Sequence, residues 1–130
     1  GRTYLAIIEG HLVRNQQTIE SYLAENRIHR CYSTQDHSKG KRAITHVKVL
    51  KRSAHRTLAE VQLETGRKHQ IRVHLAEQGH PIVGDQAYGS RTNPIRRLAL
   101  HAARLAFKHP RTGKPLEFVS QPPGLFGSLI

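Results

Sequence analysis

The densest chemistry in the chain lies in residues 65–89, TGRKHQIRVHLAEQGHPIVGDQAYG. Thr65 and Gly66 end a strand-like run and a helix-like pattern follows at once, so Arg67, Lys68, His69 and Gln70 fall near a helix N-terminus. Free backbone N–H groups and the helix dipole favour an anion there, and the two cations strengthen that preference. Arg72 falls in the first turns, where its planar fork can grip a carboxylate or phosphate through two parallel bonds. Asp85 ends a glycine-bounded loop and is one of two aspartates in the chain. Each residue also has a plainer reading: solvated charge for Arg67 and Lys68, an Asx-type turn for Asp85, packing or capping for His69 and His74. Those two histidines are five apart, which is not the i, i+4 spacing that grips zinc on a helix.

The elements that must position these groups follow from periodicity. Residues 2–9 alternate as a strand, with Tyr4, Ala6 and Ile8 on one face. In the next stretch Ile19, Tyr22 and Leu23 allow a short helix or a loop, and residues 33–42 are turn-formers and charges that suggest a surface loop. Residues 43–52 and 57–64 alternate again, close enough to form a hairpin through Ser53-Ala54-His55. Residues 68–78, with Ile71 and Leu75 four apart and Gly79 then Pro81 as stops, predict a helix of about three turns. After a loop to Leu98, residues 99–107 and 116–119 form two further strand-like runs joined by a turn containing Pro110 and Gly113. The expected fold is α+β: a mixed, mainly antiparallel sheet with few helices. One short helix covers little of such a sheet, so missing partners of the sheet are expected.

Composition narrows the partner. The 130 residues carry 21 Lys and Arg against 9 Asp and Glu, a formal charge of +12. The excess is dispersed along the length, which favours a polyanion whose condensed counterions are released on binding. No apolar run approaches the roughly 20 residues that span a bilayer, and no long helix concentrates the basic charge, so a membrane partner is not expected. The lone Cys31 excludes an internal disulfide framework and a cysteine-rich zinc site, and fits a reducing, cytoplasmic setting. The ten histidines show no metal-ligand spacing. The chain contains no Met and its first strand-like run starts almost at Gly1, so a segment upstream of Gly1 is expected.

Taken as one string, residues 65–89 resemble the TGRxHQIRxH…GD..YG motif of the RluA-type pseudouridine synthases. Residues 3–10 (TYLAIIEG) resemble the family's K-x-Y-x-A-x-x-x-G strand. Residues 40–50 (GKRAITHVKVL) resemble its G-K-x-A-x-T-x-x-x-V-L segment, and residues 100–110 (LHAARLAFKHP), with Pro122 and Pro123, its closing stretch. The four motifs come in the family's order over nearly the whole chain.

The resemblance implies an isomerase that converts uridine to pseudouridine in ribosomal or transfer RNA, with no metal, no organic cofactor and no obligatory protein partner. It implies Tyr4 as the aromatic face against the target uracil and Arg72 as the cation that pairs with and orients a catalytic aspartate. Arg67, Lys68, His69 and Gln70 are expected to contact RNA, and Gly66, Asp85 and Tyr88 to be structural members of the motif. One departure matters. The family's H-R-L-D-x-x-T-S-G motif, which carries the catalytic aspartate upstream of the Tyr strand, does not occur, and neither Asp36 nor Asp85 has its neighbours. The chain is therefore expected to be the C-terminal part of one catalytic domain, inactive alone. The alternatives are a non-catalytic RNA-binding module descended from such an enzyme, and a small basic domain that binds protein or ribosome surface.

Overall fold

The computed structural model describes residues 2–130. Its strands are β1 (Arg2–Glu9), β2 (Gln16–Glu25), β3 (Cys31–Thr34), β4 (Lys41–Arg52), β5 (Arg56–Leu63), β6 (Leu100–Lys108) and β7 (Pro115–Val119); its helices are α1 (Gln70–Glu77) and α2 (Gly124–Leu129). The strands form one seven-stranded sheet in the order β3-β2-β4-β5-β1-β6-β7, and every neighbouring pair is antiparallel. The expected mainly antiparallel α+β architecture is thus present, with no parallel pairing between named strands. The β4–β5 hairpin turns through residues 53–55 as the alternation implied.

Three expectations need correction. The stretch expected to be a short helix or loop contains β2, the ten-residue partner of both β3 and β4. Its helical spacing is incidental: Gln17, Ile19 and Ser21 are half-buried between exposed Gln16, Thr18 and Glu20, a period of two set by pairing with β4. Residues 33–42 are a loop only over 35–40, where the Asp36 carboxylate accepts from the Ser38 N–H and hydroxyl and orders the turn. The third correction is α1, which has two turns and begins at Gln70. His69 sits before it in a left-handed conformation, φ 55°, which no α-helix continues through.

The C-terminus of α1 closes as its glycine implied. Gly79, φ 84°, donates to Ala76 O and His80 to Leu75 O, a Schellman arrangement that satisfies the last carbonyls. The main core combines Ala6, Ile7, Ile8, Val47, Ala59 and Val61 from the sheet with Ile71 and Leu75 from α1 and Phe126 and Leu129 from α2. Successive residues of a strand face opposite sides, so burial of Ala6, Ile7 and Ile8 together means that both faces of β1 are covered at that end. Helix α2, in the Gly-rich run GLFGSL, forms against its propensity. Burying two large side chains contributes about 1.5–3 kcal/mol each, more than the helical cost of its glycines. No described helix is long and apolar enough to cross a membrane.

Candidate active-site cleft

The site is built from α1, the turn before it and the loop after it. Arg72, on the first turn of α1, donates from Nε to Asp85 Oδ2 at 2.9 Å and from Nη2 to Asp85 Oδ1 at 2.8 Å. The Asp85 side chain is 1 % exposed and that of Arg72 23 %. A buried carboxylate in a two-bond fork is a fixed pair, and its bonds hold the Arg72 guanidinium above its ordinary pKa. The expected Asx-type turn at Asp85 is corrected here: its side chain reaches the helix, while its backbone carbonyl accepts from Tyr88 and Ser90 and shapes the 3₁₀ turn Gln86–Tyr88. Gly84 explains itself sterically. With φ +85° and the Arg97 carbonyl 2.2 Å from where a Cβ would stand, only glycine fits.

Tyr88 ties this loop to the start of α1. The Arg72 guanidinium carbon lies 5.0 Å from its ring centre and that of Arg30 5.1 Å. Its hydroxyl accepts from the Cys31 N–H at 2.9 Å and lies 2.7 Å from His69 Nδ1. Both contacts are satisfied when the hydroxyl donates to Nδ1, which leaves the His69 ring proton on Nε2. Burial keeps Tyr88 protonated, raising its pKa. Burial also lowers that of His69, assisted by the nearby charges of Arg72 and Lys68.

Beneath α1 runs a polar network. Gln70 is buried; its amide nitrogen donates to Ile44 O and Thr45 Oγ1, and its oxygen accepts from the Thr65 hydroxyl and the Arg67 N–H. One helical turn on, buried His74 contacts Thr45 Oγ1 through Nδ1 at 2.7 Å and Ser21 Oγ through Nε2 at 2.9 Å. Ser21 meets Ser33, which donates to Glu77. Ser33 has one hydroxyl hydrogen, so Ser21 supplies the hydrogen between the two serines. Burial depresses the His74 pKa and keeps the ring neutral. The reading of His74 as a packed histidine is therefore correct. Sequence reasoning missed its partners, although the i, i+4 spacing of Gln70 and His74 does put both on the sheet-facing side of α1.

These supports frame a small cleft of about 160 Å³ whose walls include Arg2, Tyr4, Gly66, Arg67, His69 and Arg72. Tyr4 from β1 and Arg72 from α1 thus line one cleft. Gln70 also lines the cleft, with its amide bonds already satisfied inside the chain. Lys68 does not join it. It lines a neighbouring groove of about 330 Å³ with Lys39, Lys41 and Arg67, and its ammonium is 2.8 Å from Glu25. The cations Arg67 and Lys68 precede α1 rather than occupying its first turn, and Arg67 Nε donates to Arg42 O. Asp85 and Tyr88 support the cleft without lining it. Among the described residues no group of three His, Cys, Asp or Glu is placed to hold a metal.

The sequence and the fold of the chain match known proteins. The family described as RNA pseudouridylate synthase matches residues 1–77, more than half of the chain, and the chain belongs to that family. It is 42 % identical over 130 residues to the uncharacterized RNA pseudouridine synthase YlyB of Bacillus subtilis, covering 99 % of this chain and 43 % of that protein. Over 132 residues it is 36 % identical to the ribosomal large subunit pseudouridine synthase D of Zymomonas mobilis, covering 94 % of this chain and 41 % of that one. The solved structure of human RNA pseudouridylate synthase domain containing 1 superposes with a TM-score of 0.82 at 29 % identity, over 99 % of this chain and 57 % of that one. The chain thus spans well under half the length of these two curated relatives.

Proposed function

We propose that this chain is the C-terminal part of the catalytic domain of an RNA pseudouridine synthase, and that the cleft between Tyr4 and Arg72 receives the target uridine. The observation that carries this reading is the convergence of an aromatic side chain from β1 and a fixed guanidinium from α1 on one small cleft beside a basic groove. An unstacked base needs an aromatic face, and the flanking phosphates need cations.

The reaction breaks the bond between the sugar C1′ and uracil N1, joins C1′ to C5, removes a proton from C5 and returns one to N1. It is redox-neutral and balanced within the nucleotide. Tyr4 flanks the ring. Arg72 orients and keeps ionised a carboxylate supplied by the segment upstream of Gly1. Arg67 and Lys68 hold RNA phosphates at the rim. A Zymomonas relative carries the words ribosomal large subunit in its name, which makes ribosomal RNA in the cytoplasm the first substrate to test.

The test is nucleoside analysis of RNA incubated with the full-length parent protein and, separately, with these 130 residues. Pseudouridine from the parent alone supports the reading. Pseudouridine from the 130 residues contradicts the assignment of the nucleophile to the upstream segment. RNA binding by the parent without pseudouridine favours the non-catalytic binding module.

A further inference from the structure

Asp85 is a buried carboxylate that the reaction itself does not use. It lies on the loop after α1, its side chain 1 % exposed, with both oxygens on Arg72. A guanidinium has five N–H groups arranged along two edges. Asp85 occupies the side-on edge formed by Nε and Nη2. The end-on edge, made of Nη1 and the outer N–H of Nη2, remains. Among the described residues none accepts from Nη1, and Arg72 lines the cleft that Tyr4 also lines.

Three features make this a preorganised device rather than a loop anchor that happens to be charged. The loop has its own anchors: the Asp85 carbonyl accepts from Tyr88 and Ser90, and Glu9 accepts from Ser90, Arg91 and Thr92. The Asp85 carboxylate is therefore not needed to close the turn. Next, an unpaired arginine of this length samples many rotamers, whereas two bonds from a buried carboxylate and the Tyr88 ring 5.0 Å away hold the fork in one orientation. Third, Gly84 allows this placement, because any side chain there would strike the Arg97 carbonyl and displace Asp85.

We propose that Asp85 is a positioning residue: by filling the side-on edge of Arg72 it aims the end-on edge into the Tyr4 cleft, so that Arg72 bridges two carboxylates, Asp85 permanently and the catalytic acid during turnover. The inference rests on the proposed function and adds a residue that touches neither uridine nor nucleophile. It also changes the expected role of Arg72, which meets the catalytic acid with its outer edge because the other edge is already bonded.

The experiment uses the full-length parent protein. Single-turnover pseudouridine formation and RNA affinity are measured for wild type, Asp85→Asn, Arg72→Lys and the double variant, each with a thermal melt. Asparagine preserves shape and one acceptor but loses the charge and the matched fork. The expected result is a rate at least about tenfold lower in Asp85→Asn, RNA affinity within about twofold of wild type, and a further loss under about threefold when the same change is made in Arg72→Lys, where the fork is already gone. Should Asp85→Asn not fold, Asp85→Ser, smaller and still an acceptor, is read by the same ratios. A rate within twofold of wild type, or losses that multiply fully in the double variant, overturns the inference alone. A wild-type parent without turnover overturns the inference together with the function on which it rests.

Discussion

Lys68 donates to Glu25 at 2.8 Å, joining the turn before α1 to the end of β2. Both side chains are substantially exposed, and the same carboxylate oxygen also meets His29. A cation so paired is partly neutralised towards RNA, whereas the Arg67 side chain donates to the Arg42 backbone carbonyl and has no carboxylate partner among the described residues, beside the same groove.

Glu25→Gln should therefore tighten RNA binding, by about two- to fivefold at low salt, and steepen the dependence of log K on log salt by about 0.7, one single-strand phosphate contact. Arg67→Gln should do the reverse. Fluorescence anisotropy with single-stranded RNA across a salt series reads both. Unchanged slopes in both variants would mean that the groove is not on the RNA path.

His74 makes stability depend on pH. Burial depresses its folded-state pKa below the ordinary histidine value of about 6.5, so the unfolded chain takes up the proton first as pH falls. Stability is fully present above that value and declines as pH drops below it, and His69, depressed in the same direction, adds to the decline. His74→Gln should flatten part of this slope and, by disturbing the contacts to Thr45 and Ser21, cost about 1–3 kcal/mol at neutral pH. Urea unfolding between about pH 5 and pH 8 gives both numbers. A wild-type stability that rises below about pH 6 would contradict the neutral buried histidine.

Gly84→Ala should destabilise the fold by about 2–4 kcal/mol, combining left-handed strain with a clash against the backbone carbonyl of Arg97. Gly79→Ala, also left-handed but with open space at its Cβ, should cost less, about 1 kcal/mol. Thermal melts of the two variants side by side test the ordering. Equal losses would mean that the Arg97 carbonyl moves away freely.

Much of the site was legible because its residues fall within one short segment. β5 ends at Leu63, a turn follows and α1 starts at Gln70, so Thr65, Gly66, Arg67, Gln70 and Arg72 stay together in the fold; pattern alone left each with a plainer reading, and the resemblance of the whole string grouped them. The partners of these residues were not legible. Nothing in the string says that Asp85 turns back to Arg72 rather than to its own turn, or that Glu25 reaches Lys68 from β2, since those choices depend on how α1 lies on the sheet. Strand β2 was obscured by an accidental helical spacing that pairing with β4 overrides. Helix α2 was missed because its glycines argue against a helix, and only the burial of Phe126 and Leu129 forms it. The left-handed His69, which shortens α1 and sets both cations before it, carries no sequence signal beyond its place after Lys68.

The most direct test of the uridine cleft is single-turnover pseudouridine formation by the full-length parent protein, wild type beside Arg72→Met, with RNA affinity measured on the same samples. The expected result is a rate lowered by at least about 100-fold with affinity within about threefold, because the guanidinium acts on the reacting centre rather than on the bound strand. A variant that keeps the wild-type rate to within a few-fold would contradict the placement of the reaction between Tyr4 and Arg72.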